Sequence, residues 1–401
     1  MIKRTALSIV LAMASLSAAS GSPAQAAEGG DAITRRMKAA IAEGTLPGAI
    51  VLVRKDGKTV YEETFGFADR EAGRAQKLDD LFNLGSTSKP VAMSVILTEV
   101  AAGRMGLDDP ISRWFPGYGG GRLADGSASE RMPIVREMMA HISGTFSLRC
   151  SERRQLALLY MFGRTLRESA EAIAAEPLVD QPGSSFCYGG PSMQVAGRVA
   201  EITSGNDFET LARTRVFDPL GMDSTFYTSS RSVADRLSVI YAPGTDGKLE
   251  RSPRMRNPEG ESFVLVPGGL YSTASDLARF LEAFLSGGEL EGQRVLPDSL
   301  VLEARRNQIG SLKTDLGDPS IGDRNSAALG AIGGYGLGWI LDEVGPDGLA
   351  NVYSHGGAYG TYIWADQRAR LAVVLMTQIP LAYATPVWND VLPLIRATWG
   401  N

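Results

Sequence analysis

Ser86 and Lys89 stand three residues apart in Leu84-Gly85-Ser86-Thr87-Ser88-Lys89-Pro90, directly before the apolar run Val91 to Val100. On a helix, an i, i+3 pair shares one face, with Cβ atoms about 5–6 Å apart. A serine hydroxyl becomes a useful nucleophile when a neighbouring base takes its proton. A lysine pressed against apolar surface holds its proton less tightly and can serve as that base. Ser86 also falls at the start of the expected helix, where free N–H groups favour negative charge on oxygen. The chemistry this permits is acyl transfer through a serine ester. S-x-x-K is common by chance, as an N-cap serine before an exposed lysine, so the rest of the chain must carry the argument.

Rival chemistries have little to work with. No Gly-x-Ser-x-Gly elbow is present, and the only histidines are His141 and His355. His141 lies in Met-Ala-His-Ile-Ser-Gly, a stretch that resembles a structural segment of a known family, and is expected to be a structural histidine with its hydrogen bonds satisfied. The only cysteines, Cys150 and Cys187, could form one disulfide or remain two buried thiols. Two cysteines and two histidines far apart make a zinc site improbable. Neither a metal nor a cofactor is expected.

The elements that must position Ser86 and Lys89 come from both ends of the chain. Residues 31–44 pattern as an amphipathic helix carrying Ile33, Met37, Ala40 and Ile41. Gly48–Arg54 reads as a buried strand, Asp56-Gly57 as a hairpin turn and Thr59–Gly66 as the return strand. Val91–Val100 is apolar nearly all round, the mark of a helix buried on most faces. Strand patterns return at 337–341, 351–354, 361–365 and 371–377, and 386–399 reads as a closing helix. Strands in adjacent pairs rather than βαβ units imply an α+β fold. We expect an antiparallel sheet built from both chain ends and flanked by helices, over 31–106 and 260–401. Residues 107–259, short helical patterns between Gly- and Pro-rich loops, form an expected inserted, mainly helical lobe.

Composition bounds the setting. Lys3-Arg4, the apolar stretch Ala6–Ala19 and Ala24-Gln25-Ala26 pattern as a signal peptide over 1–26. A periplasmic or secreted location is therefore expected. No later segment offers the roughly 18 apolar residues of a membrane span. The net charge is −5, without a basic stripe, so no nucleic-acid partner is expected. The expected partner is a small-molecule or short-peptide substrate. The oligomeric state is not legible.

Several short stretches resemble, in order, the serine β-lactamase and penicillin-binding-protein superfamily. They are Phe82-Asn-Leu-Gly-Ser-Thr-Ser-Lys-Pro90, His141-Ile-Ser-Gly144, Pro219-Leu-Gly-Met222, Pro267-Gly-Gly-Leu270, Tyr335-Gly-Leu-Gly-Trp339 and Ser354-His-Gly-Gly357. More specifically, the chain resembles the class C branch, which includes class C β-lactamases, D-alanyl-D-alanine carboxypeptidases, D-aminopeptidases and family VIII carboxylesterases. The resemblance implies an acyl-enzyme on Ser86, with Lys89 and Tyr188 as proton-transfer groups. It makes Tyr188-Gly189-Gly190 the counterpart of Y-x-N, with Gly190 where the pattern has Asn. It aligns His355-Gly356-Gly357 with the third motif. His355 is then expected to donate to substrate or to the tyrosine oxygen, and Gly357 to let substrate lie close to the strand. The Ser86 and Ala358 amides are expected to form the oxyanion hole. The missing Asn amide favours an ester or peptide-like amide over a β-lactam. A β-lactamase or D-alanyl carboxypeptidase is the alternative within the superfamily. A non-catalytic ligand-binding protein on the same fold is the alternative outside enzymology.

Overall fold

The computed structural model describes residues 23–400 apart from 148–149, 151–152, 231, 254–257, 261, 315 and 317–331. Residues 1–22, most of the expected signal peptide, lie outside the described residues.

The main sheet is antiparallel and has eight strands. Three come from the N-terminal part: β1 (Gly48–Lys55), β2 (Lys58–Asp69) and β3 (Arg74–Ala75). Five come from the C-terminal part: β4 (Gly334–Tyr335), β5 (Ile340–Val344), β6 (Ala350–Gly356), β7 (Tyr362–Asp366) and β8 (Leu371–Thr377). The spatial order is β4-β5-β6-β7-β8-β1-β2-β3. The two chain ends therefore meet at β8 and β1, where Ile50 opposes Met376 and Leu52 opposes Val374.

Both faces of those central strands are covered, which explains their unbroken apolar sequence. Side chains alternate between faces along a strand. Val51 and Val53 of β1, with Leu371, Val373 and Leu375 of β8, pack on α1 (Pro23–Ala42) and α6 (Leu381–Trp399). Ile50, Leu52, Val374 and Met376 face the opposite way, into the larger core. That core holds α2 (Ser88–Ala101), α4 (Pro191–Ser204) and α5 (Ala274–Leu285). Every residue of α2 from Ser88 to Glu99 is buried, as its sequence requires. Among the described residues, no helix is long and apolar enough to cross a membrane.

Several boundaries differ from expectation. Helix α1 starts at Pro23 rather than near residue 31. The strand expected at 337–341 is displaced to Ile340–Val344, because a bond from Gly336 N–H to the Trp339 carbonyl closes a tight turn there. Leu337 and Trp339 are buried inside that turn, not on a pleat. The last helix begins at Leu381 and carries Pro386 and Pro393 internally. A proline usually marks a helix start because it lacks an N–H. Here Leu381 and Ala384, upstream of Pro386, are buried against the sheet and extend the helix past that signal.

Candidate active site

Ser86 sits in the single 3₁₀ turn Gly85–Thr87 that leads into α2. Its neighbours clamp the turn to the sheet. The Leu84 N–H donates to the Leu270 carbonyl over 2.9 Å, and Thr361 Oγ1 donates to the Leu84 carbonyl over 2.7 Å. Thr87 Oγ1 and Thr361 Oγ1 lie 2.9 Å apart. Gly85 has φ +53°, and a Cβ there would stand 2.8 Å from Ala358 N. Both the left-handed backbone and the close approach demand glycine. This packing brings the Ala358 amide beside the serine turn. No backbone carbonyl outside their own turns takes the Ser86 or Ala358 N–H, among the described residues.

Lys89 Nζ lies 2.8 Å from Ser86 Oγ and donates to the Pro267 carbonyl over 3.2 Å. The residue is 3% exposed. Burial among apolar groups penalises the ammonium and pushes the lysine down to about 7. Close to neutrality, a free amine is then available against the serine hydroxyl. Tyr188 completes the group, with Lys89 Nζ 4.7 Å from its ring centroid. The segment bearing Tyr188 is held by Cys187 N–H, which donates to the His141 carbonyl over 2.8 Å. Cys150 and Cys187 are joined in a disulfide.

Ser86, Lys89, Tyr188, Gly190 and Ala358 line one cleft of about 100 Å³. The rest of its wall is Leu159 and Tyr160, Leu265, Pro267 and Tyr359, with Gly85, Gly189 and Gly268. A larger groove of about 680 Å³ lies on the helical part, along Arg198, Glu201 and Asp207, and contains none of the expected site residues. Serine, buried amine, phenol and two backbone donors around one small volume are the parts that acyl transfer needs.

Two expected residues stand elsewhere. His355 is fully buried and does not line the cleft. Its Nδ1 bonds the Gly356 carbonyl at 2.9 Å, and its Nε2 faces the Tyr335 hydroxyl at 3.3 Å. It therefore reaches a different tyrosine from the one expected. Gly357 also lies behind the wall. A Cβ there would collide with the Leu84 carbonyl and Thr361 Oγ1, so the glycine admits the serine turn rather than a substrate. His141 is only partly satisfied: Nε2 lies 3.1 Å from the Tyr335 hydroxyl, and Nδ1 has no partner among the described residues.

Sequence reasoning missed Gly85, the Pro267 carbonyl, Leu159 and Tyr335. Gly85, Pro267 and Tyr335 each lie inside a motif that was noticed, so proximity to a motif was the available signal. Leu159 had none. Gly190 explains it: a Cβ at 190 would lie 2.6 Å from Leu159 Cδ2 and 2.9 Å from Pro267 Cγ. The leucine fills the volume beside the glycine.

Residues 32–385 match the Beta-lactamase family model. The chain belongs to that family. Esterase EstB of Burkholderia gladioli is 31% identical over 372 residues, covering 84% of this chain and 87% of its own. Penicillin-binding protein 4 of Amycolatopsis lactamdurans is 24% identical and covers 89% and 88%. The solved structure of EstCE1, a hydrolase with promiscuous acyltransferase activity, superposes with a TM-score of 0.76 at 22% identity. It covers 93% of this chain and 98% of its own. This Beta-lactamase-family chain is a serine hydrolase, with esterases and penicillin-binding proteins among its relatives. Among the described residues, no three His, Cys, Asp or Glu side chains are grouped to hold a metal ion.

Proposed function

We propose that the protein is an exported carboxylesterase that cleaves neutral, apolar esters through an acyl-enzyme on Ser86. One observation carries this reading: Lys89 Nζ, buried and pushed down to about 7, lies 2.8 Å from Ser86 Oγ. The neutral amine takes the Ser86 hydroxyl proton as Oγ bonds to the substrate carbonyl carbon. The Ser86 and Ala358 amides hold the resulting oxyanion. As the carbon–alkoxide bond breaks, a proton returns to the leaving oxygen through Tyr188 and Lys89. Water then adds to the acyl carbon, and the serine leaves with its proton.

The wall supports an ester over substrates that carry a carboxylate. Among the described residues, Lys89 is the only cationic side chain lining the cleft, and it is engaged by Ser86 and Pro267. Among the described residues, no arginine, histidine or asparagine lines the cleft to grip a carboxylate. Tyr160 and Phe162, 43% and 49% exposed, stand with ring centroids 6.1 Å apart, and Phe162 leans on Phe263 at 5.3 Å. Such a rim suits an apolar acyl or alcohol group.

On this reading, the parts 31–106 with 260–401 supply Ser86, Lys89 and Ala358, and the lobe 107–259 supplies Tyr188. We also propose cleavage after Ala26 on export to the periplasm or medium. The buried anchors Ile33, Met37 and Ala40 of α1 all lie beyond that point.

The test is a panel of p-nitrophenyl esters, D-alanyl peptides, linear peptides and a cephalosporin. Wild type and Ser86→Ala are compared, with fluorophosphonate labelling alongside. Short and medium esters should turn over best, and Ser86→Ala should lose at least about 10³-fold in kcat with all labelling. Turnover of the cephalosporin or the D-alanyl peptides alone would overturn the ester reading. Wild type that neither takes the label nor turns over any substrate would leave the non-catalytic alternative standing.

A further inference from the structure

Behind the cleft lies a set of buried groups that the acyl-transfer steps do not use. Tyr335 of β4, fully buried, places its hydroxyl 3.1 Å from His141 Nε2 and 3.3 Å from His355 Nε2. His355 Nδ1 stands 2.9 Å from the Gly356 carbonyl. A carbonyl only accepts, so His355 Nδ1 carries a proton. A neutral His355 then offers a bare Nε2, and the single Tyr335 proton must point at it. The Tyr335 oxygen in turn accepts from His141, which fixes His141 as the Nε2–H tautomer. His141 Nδ1 is then a bare lone pair, and it is the ring nitrogen without a partner among the described residues. With His355 neutral, the hydrogen-bond inventory closes in one direction only.

The chain joins the two halves of the cleft. His141 has φ +61°, a costly conformation for a residue with a Cβ, retained where the surroundings require it. Its carbonyl holds Cys187 N–H, next to Tyr188, and its ring lies 4.8 Å from the Tyr188 ring. At the other end, Gly356 closes β6, two residues before Ala358. We propose that Tyr335 is a positioning residue whose hydroxyl completes a neutral chain from His141 through His355 to the Gly356 carbonyl, tying the backbone that carries Tyr188 to the strand end that carries Ala358. Neutrality also suits the neighbourhood. The groups facing the chain are Lys89 of α2, the phenol of Tyr188 and the ring of Phe186. Burial first, then the Lys89 charge, pushes His355 down to about 3 and His141 well below its usual range. An imidazolium at either place would oppose the protonated Lys89.

Two measurements test this on the full mature chain. With only two histidines, long-range ¹H–¹⁵N spectra give two side-chain patterns, assigned with His141→Gln. His355 should read as neutral Nδ1–H and His141 as neutral Nε2–H from pH 6 to 8. A charged ring, or the opposite tautomer at either residue, would overturn the proposal whatever the substrate proves to be. The kinetic arm rests on the acyl-enzyme reading. Tyr335→Phe should lower kcat roughly 10- to 100-fold with KM changed less than about twofold. His141→Gln, which keeps a donor, should stay within about threefold of wild type, whereas His141→Leu should match Tyr335→Phe. Wild-type kcat in a folded Tyr335→Phe protein would also overturn it. If Tyr335→Phe fails to fold, the tautomers of the wild type and the His141 pair decide.

Discussion

At the scale of the residue, the protein turns on how burial changes an amine. Lys89 in water would stay charged to about pH 10 and could accept nothing from Ser86. Its lowered proton affinity comes from burial, and the same burial fixes the sign of the pH dependence. Below about pH 7 the ammonium dominates and the base is blocked; above it the amine is free. The kcat/KM for a p-nitrophenyl ester should therefore rise as pH passes upward through about 7 and level off on the alkaline side. Lys89→Met should remove that rise and lower kcat by about 10²–10⁴-fold. A pH profile of both proteins, followed by absorbance, checks this. Gly85 is the second decisive residue. Gly85→Ala forces a Cβ towards Ala358 N at a φ that disfavours it. We expect about 1–2 kcal/mol of lost stability and a larger proportional loss in kcat than in KM. Urea unfolding with steady-state kinetics separates the two.

At the scale of the element, the cleft is shaped where helices end. Leu159 is the last residue of a short helix, α3 (Arg153–Leu159), and Gly190 caps the start of α4. Their contact, with Leu265 and Pro267 beside it, makes this wall apolar. Gly190→Asn should cost about 1–3 kcal/mol through overpacking. Adding Leu159→Ala should recover most of that cost, so the pair is non-additive. Urea midpoints of the two single variants and the double variant measure the coupling. Equal and additive losses would mean that the leucine does not set the space at 190.

At the scale of the whole molecule, one sheet gathers elements that are far apart in the chain. β1 and β8 are neighbours in space, with more than 300 residues between Ala49 and its partner Thr377. The Ser86 turn follows the first strands, whereas Ala358 follows β6, so the proposed oxyanion pair comes together only once the sheet has closed. The Cys150–Cys187 bridge acts on the same scale by closing a 37-residue separation around the segment that leads to Tyr188. Loop-closure entropy assigns such a bridge ~4 kcal/mol. Cys150→Ser with Cys187→Ser, or wild type under reducing agent, should melt several degrees lower than the oxidised protein in a differential scanning experiment.

Much was legible beforehand, for local reasons. The apolar runs of β1, β8 and α2 set strands and a buried helix because burial on both faces leaves one reading of such sequence. Ser86, Lys89, Tyr188 and Ala358 were found through motifs, and the fold brings them to one cleft. What failed was whatever depends on a neighbour distant in the chain. His355 and Gly357 sit in a motif, yet burial turns the histidine to Tyr335 and packs the glycine on Leu84. The turn at Gly336–Trp339 displaced a strand that periodicity alone had placed. The sequence by itself determined the class of fold and singled out Ser86 and Lys89 as the proposed nucleophile and base, since these readings follow from residue type at short spacing. The tertiary structure alone decided how far Lys89 is desolvated, what stands beside Gly190 and which tyrosine meets His355. Those are properties of packed volume between segments dozens to hundreds of residues apart, and no local pattern encodes them.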